Sequence, residues 1–498
     1  MSFKDKFKNK KGQIIIYVLF YILIGVASFS ALSGFLTVYV NSTYRDRDNI
    51  KIFNIAESGL EQARWYLNHY SNDFTNGTAT SGPYSYKFYN RLGEEIGSYI
   101  LEIQTPQQGI NIVNLKTTAK LKSIFQNQKT LKMTLGKPSF TKYSVLVDDN
   151  IRFGSGTIVY GEIHSNRGIR FDGIAFNTIK SSLITYDDPD HTGCYEWAVH
   201  THLSPQDPCP GSNPDPQNIP QRDDVFKAGR LVGVPGVNFN GISANLADLK
   251  TLAQQNGFYR GFSGNNYFGY EIVLKENNFD LYRVNSLTNP PSGCQMCDSV
   301  VFNPACSSVN TRYNQSTWSI ANRQFLGTFN YPTNSVIFIE DNLWIRGKIQ
   351  NKRLVIGSAR FPEDPNSMTN IIINDNLLYT YYDNRDVIGL LAQKNIYVGL
   401  KSTNTLRIDA ALIAKNGRIG RQYYSSSCGS EYLRNKITLF GTLSTRLRYG
   451  FTWSDSQGNT ISGYNLRDII YDNNLLYAPP PYFPLSTDFY QILKWERE

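Results

Sequence analysis

The sequence predicts an α+β, mainly β protein. A long N-terminal transmembrane helix comes first, then a small antiparallel sheet, then a parallel β-helix, with a β-sandwich as the alternative for the last part. Three observations carry this. No Asp, Glu, Lys or Arg occurs between Lys11 and Arg45. From 84 to 136, "SYKFYN", "GSYILEIQ", "NIVNLKTTAKLKS" and "KTLKMTLG" alternate apolar and polar residues, the period of a half-buried strand. From about 141 a short strand–turn–strand unit recurs. The 33 tyrosines and the low charged fraction of 18% also suit pleated, half-buried surfaces better than helices.

The elements follow in chain order. Residues 1–12 form a basic leader, with Lys4, Lys6, Lys8, Lys10 and Lys11 against Asp5, a net charge of +4 out of +9. The remaining +5 is spread thinly. No dense Lys/Arg cluster interleaved with aromatics appears, which argues against a specific nucleic-acid partner.

Residues 13–75 are expected to be helical. The run "IIIYVLFYILIGVASFSALSGFLTVYV" (14–40) would make a helix about 40 Å long, more than the ~30 Å hydrocarbon core needs. It is also too long for a cleaved secretory signal. The lysines before it place the N-terminus in the cytoplasm and the bulk of the chain outside a single-pass inner-membrane anchor. Ser28, Ser30, Ser33, Gly34 and Thr37 gather toward the outer end, where small residues allow close helix approach. No proline interrupts residues 1–82, so one helix from about Gly12 to Tyr70 is expected. Its outer half carries an apolar face at Ile55, Ala56, Gly59, Leu60, Ala63 and Leu67, the i, i+3, i+4 rhythm of a packed stripe. That face needs a partner, and the antiparallel sheet of 76–140 is the one the chain supplies.

The basic leader ending in Lys11-Gly12, the uncharged run and "AESGLEQA" (56–63) resemble the PilX-type minor pilins of type IV pili. The resemblance implies cleavage by prepilin peptidase between Gly12 and Gln13, and association of the helix with other pilin-like subunits. It further implies a cell-surface location on assembly into a filament. Typical pilins carry Glu at mature position five, where this chain has Tyr17, and some minor and tip subunits lack that Glu too. "GEIHSNRGIRF" (161–171), "DNLWIRGKI" (341–349), "IDAALIAKNGRIG" (408–420) and "YDNNLLYAPPPYFP" (471–484) resemble an uncharacterised family of large, membrane-anchored, pilin-like proteins, which brings no activity.

Residues 141–190 and 336–498 read as the β-helix. Asp149-Asn150-Ile151, Asp341-Asn342-Leu343 and Asp375-Asn376-Leu377 repeat one triplet at strand starts, and Asn and Gly supply tight-corner conformations. Pro479–Pro481 and Pro484 suggest a strap over the coil edge. Residues 191–335 read as a Cys/Pro-rich insertion, with a helix capped by Ser243 and ending at Gly257.

The disulfide candidates are Cys194, Cys209, Cys294, Cys297, Cys306 and Cys428, an even number in an oxidising compartment. Cys194 and Cys209 would close the proline-rich loop, and Cys294, Cys297 and Cys306 offer a local pair. His191, Cys194, His200, His202 and Cys209 present a rival zinc reading, but their spacing is irregular, and the disulfide reading is preferred. No metal and no cofactor are therefore expected.

No catalytic residue is expected either: G-x-S-x-G, HExxH and P-loop motifs do not occur. Asp383, Asp386 and Asp409 read as turn formers. The expected function is a structural or adhesive subunit with a surface glycan or protein ligand, for which Tyr259, Phe262, Tyr267 and Tyr270 are candidate exposed aromatics. The alternative is a signal-anchored surface β-helix that binds or cleaves glycans, such as a polysaccharide lyase or hydrolase.

Overall fold

The structure, a computed structural model, describes residues 8–107, 109–122, 127–189, 191, 193–298, 316–455 and 458–497. The chain folds as two compact units.

In the first unit, helix α1 (Lys8–His69) runs unbroken, as expected of a stretch without proline. Beside its outer half lies a five-stranded sheet in the order Tyr84–Tyr89, Glu95–Gln104, Ile112–Leu121, Gln128–Gly136 and Gln491–Arg497. The last strand was not expected, because the closing "LKWERE" alternates too briefly to stand out. Alternation places Leu115, Thr117, Ala119 and Leu121 on one buried face of the third strand.

The second unit is a parallel β-helix. Its best-defined face pairs Val336–Ile339, Arg353–Ser358, Val387–Ala392, the end of Thr405–Ala414 and the end of Leu433–Thr445 in parallel. The stack then continues into Val145–Val147, Ile163–Ser165, Ile179–Ser181 and Arg230–Leu231. The order is therefore spliced. The coils nearest the C-terminus are followed in space by those nearest residue 145, and all run in one direction. Ile337, Ile356, Leu390, Leu412, Leu443, Val145, Ile163 and Ile179 form one register row, and all are buried in the central core.

The alternate row faces the other way. Val336, Phe338, Val355, Leu391, Ala411, Ile413 and Leu146 join a separate core with Ile242, Leu246, Leu249 and Ala253 of helix α2 (Ile242–Asn256). This helix lies in the connection that carries the chain from Arg230–Leu231, at one end of the stack, to Phe258–Arg260, at the other. It covers the outer face of the sheet on the way. The helix is capped by Gly241, two residues before the expected Ser243, starts at Ile242 and ends at Gly257.

The Cys/Pro-rich insertion expected at 191–335 contains strands that join the β-helix. Val199–His200, Arg230–Leu231, Phe258–Arg260 and Gly269–Leu274 all pair with strands of the β-helix. Proline-rich loops between these strands masked their short period. Gly269–Leu274 also carries an antiparallel extension, Asn278–Leu287 and Ile320–Asn330.

Corners repeat one chemistry. In each Asp-Asn triplet the Asp carboxylate accepts the N–H of the following Asn, at 2.8, 2.9 and 2.8 Å. Between coils, Asn342 Oδ1 accepts from the Asn370 backbone N–H, Asn370 Oδ1 from Asn395, and Asn395 Oδ1 from Arg418. An asparagine ladder thus satisfies corner donors that no strand would pair. At Gly347 the strand Leu343–Ile349 is paired on both edges, with Leu274 and with Leu377. Its φ is +114°, and a Cβ there would lie 2.2 Å from the Leu274 carbonyl oxygen, so only glycine fits. The proline strap crosses a sheet face rather than the coil edge: a Cβ on Gly389 would meet Pro480 and Phe483 at 2.7 and 2.8 Å. Arg353 fixes it by donating to the Pro479 carbonyl at 2.6 Å.

Candidate functional site: the amino-terminal helix and its sheet

Helix α1 divides sharply. From Ile14 to Val40 every large apolar side chain is 45–75% exposed, a largely apolar cylinder without a protein partner among the described residues. It is the one helix among the described residues long and apolar enough to cross a membrane. Thr37 and Thr43 return their hydroxyls to the carbonyls of Ser33 and Tyr39, which satisfies these polar groups within the helix. Gly12 and Gln13 lie in its first turns.

Beyond residue 51 one face closes. Ile52, Ile55, Ala56, Leu60, Ala63 and Leu67 are buried against the sheet. Gly59 sets the approach: a Cβ there would lie 2.7 Å from Tyr99 Cδ2 and 3.0 Å from Thr117 Cγ2. Thr117 donates its hydroxyl to the Ala56 carbonyl at 2.8 Å, and the Tyr99 hydroxyl bonds Gln62. Burial raises the Tyr99 phenol to about 12, so it remains a neutral donor. Phe53 meets Trp495 edge-on at 5.6 Å, which ties the last strand to the helix.

The helix ends in a small hydrogen-bonded knot. Asp73 accepts from Thr75 Oγ1 and N and from the Tyr66 hydroxyl. Those bonds, Thr75 first, hold its carboxyl down to about 2. The same contact raises Tyr66 to about 12.

In the second unit Cys194 is bonded to Cys209, and Cys294 is bonded to Cys428 across 134 residues. Cys297 is also disulfide-bonded, and Cys306 lies outside the described residues. Of Cys294, Cys297 and Cys306, Cys294 thus takes a distant partner. The antiparallel bridge Met296–Cys297 to Tyr423–Tyr424 brings these segments together.

The candidate aromatics do not make an open platform. Tyr259 donates to Glu340 and Tyr270 is buried. Arg360 stacks over Phe262 at 3.9 Å, and Arg283 over Tyr267 at 3.8 Å. Of the candidate acids, Asp386 accepts backbone N–H groups from Lys352, Thr380 and Tyr381, and Asp383 pairs with Arg385 at 2.7 Å. Asp409 accepts from Tyr379 N, the Tyr382 hydroxyl and Arg407 Nε. Burial raises its carboxyl above the ordinary Asp value, against those bonds.

No protein-family model matches the chain, and no curated protein does. Among solved structures it is similar to the competence-associated pilin ComZ from Thermus thermophilus. The identity is 12%, the alignment covers 91% of this chain and 98% of that one, and the TM-score is 0.29. A score that low carries no argument about this chain.

Proposed function

We propose that the chain is a pilin-like subunit whose N-terminal helix anchors it in a membrane and inserts it among the helices of a filament. In this reading the sheet holds the helix's outer half, and the β-helix is the displayed cargo. The observation that supports it most is the division of helix α1. One half is mostly apolar and has no partner among the described residues, while the other is locked onto a sheet of its own chain through Gly59, Thr117 and Tyr99. A simple membrane anchor has no need of that second half. Tyr17 in place of a mature-position Glu fits a minor subunit, because it leaves no side-chain carboxylate to pair with a neighbour's N-terminal ammonium in a dry core.

The role is structural in this proposal. Asp383, Asp386 and Asp409 use their carboxylates on turns and arginines, which supports corner-building over acid–base work.

The test is the intact mass and N-terminus of the native protein, read together with its presence in filaments sheared from cells. A chain beginning at Gln13 and found in the sheared fraction is the expected result. A chain beginning at Met1 and confined to membranes would refute the filament reading.

A further inference from the structure

We propose that Asp188, Glu196, His200 and His202 form a binding site for one divalent transition-metal ion of zinc-like preference. The site sits where the β-helix reaches its Arg230 end. Thr185–Tyr186 pairs antiparallel with Glu196–Trp197, and Val199–His200 lies parallel to Ile169–Phe171. His200 and His202 are two apart in extended chain, so their rings share a side, with centroids 5.0 Å apart.

The donor atoms converge. His200 Nε2 lies 2.7 Å from Glu196 Oε2 and 3.5 Å from Asp188 Oδ2, and His202 Nε2 lies 2.9 Å from Glu196 Oε1. One ligand atom from each of the four lies within 4.8 Å of all the others. Tetrahedral zinc with bonds of 2.0–2.1 Å sets its ligands about 3.3 Å apart. The observed spacings bracket that value, so binding needs adjustments of about an ångström.

Protonation geometry favours a cation. His200 Nδ1 is 3.2 Å from the Trp197 carbonyl oxygen, which can only accept, so Nδ1 carries the proton. In the neutral ring Nε2 then turns a lone pair toward two carboxylates. Neither His200 Nε2 nor Glu196 Oε2 has a hydrogen bond in good geometry, although the side chains are only 1% and 6% exposed. Buried acceptors facing one another repel unless a positive charge stands between them.

An imidazolium at His200 alone would answer only part of this. His202 Nε2 and His191 Nδ1, 3.1 Å from Glu196 Oε1, crowd the same carboxylate, and Arg170 Nη1 already lies 3.8 Å from Asp188. Protonating all three rings would gather like charges with centroids 4.7–5.0 Å apart. A single metal ion uses the lone pairs of His200 and His202 together. Its second shell is in place: the Trp197 carbonyl orients His200 in the manner usual for metal-bound imidazoles.

The donor set also narrows the metal. Cys194 and Cys209 are bonded to each other, which removes the soft ligands. Two imidazoles and two carboxylates suit zinc or a neighbouring divalent ion, and are poor for Ca²⁺ or Mg²⁺. Four protein ligands with little exposure describe a closed, structural site.

The experiment uses the full chain in detergent, stripped with chelator and titrated calorimetrically with zinc chloride alone. Expected are one saturable equivalent with a dissociation constant at or below micromolar and a zinc-dependent rise in unfolding temperature. At least a hundredfold weaker binding is expected in H200Q/H202Q. E196Q, which keeps both imidazoles, serves if that double variant fails to fold, and should bind at least tenfold more weakly. His69→Gln, on helix α1, should bind like wild type. Absence of saturable binding with His200 found as an imidazolium by ¹⁵N NMR would overturn the proposal. So would unchanged binding in a folded H200Q/H202Q or E196Q.

Discussion

Replacing Gly59 by alanine sets two opposing effects against each other within helix α1. Alanine is the better helix former by about 0.8–1 kcal/mol in a helix interior, so propensity alone predicts stabilisation. Its Cβ, however, would lie 2.7 and 2.8 Å from two carbons of the Tyr99 ring and 3.0 Å from the Thr117 methyl. Ordinary contacts are about 3.5–4.0 Å. The ring cannot swing away freely, because its hydroxyl holds Gln62 and its face packs on Tyr86 at 5.3 Å. Thr117 is fixed by its bond to the Ala56 carbonyl. Overpacking of this kind costs about 1–3 kcal/mol, so the expected net effect is a loss of about 1 kcal/mol. Amide hydrogen exchange in the full chain in detergent reads this directly, as roughly fivefold faster exchange across residues 55–67. Gly34→Ala is the control, since nothing lies within 4 Å of that position, and there exchange should slow. In the background of Tyr99→Leu, which frees the space, Gly59→Ala should become neutral or stabilising. Slower exchange in the single Gly59→Ala variant, or no rescue by Tyr99→Leu, would refute the packing argument.

Three further outcomes are expected. Removing the Cys294–Cys428 bond should destabilise the β-helix more than removing Cys194–Cys209; the spans of 134 and 15 residues give a difference of about 2 kcal/mol by loop-closure entropy, and paired Cys→Ser variants compared by denaturant midpoint test it. Leu246→Ala empties a fully buried position between helix α2 and the outer sheet face and should cost about 3–5 kcal/mol, read as early loss of exchange protection in residues 242–256. The depressed carboxyl of Asp73 adds stability that is present above the unfolded value of about 4. That contribution is lost as pH falls through about 2, so Asp73→Asn should lessen the acid-induced increase in exchange at Thr75 and Gly77.

Helix α1 and the alternating sheet were legible because both follow local periods; Ile55, Ala56, Leu60, Ala63 and Leu67, spaced at the 3.6-residue rhythm, are buried. The Asp-Asn triplets were visible as repeats, and their shared turn explains why. The spliced coil order was not legible. Periodicity says which side chains face inward, but nothing local says that Leu443 lies beside Val145 rather than beside a later coil. The same holds for Cys294 and Cys428. At the histidine cluster the sequence drew attention to His191, His200 and His202 but paired them with cysteines. The carboxylates of Asp188 and Glu196 carry no local signal, and it is the pairing of Thr185–Tyr186 with Glu196–Trp197 that brings them together.

The spliced order also governs when the molecule can be built. As the chain emerges, Val145–Val147 comes out early, yet its neighbour on one side, the segment ending at Thr445, is synthesised about three hundred residues later. Until then the first coils expose an open ladder edge, and helix α2 has no complete sheet to lie on. Coils from Val336 to Thr445 can stack in chain order, but the complete β-helix cannot close progressively behind the ribosome or translocation pore. It closes late, in one non-local event, when the final coils slide between two parts already waiting. A chain truncated before that point would retain a long unpaired edge, the kind of surface on which holding chaperones act and misassembly begins.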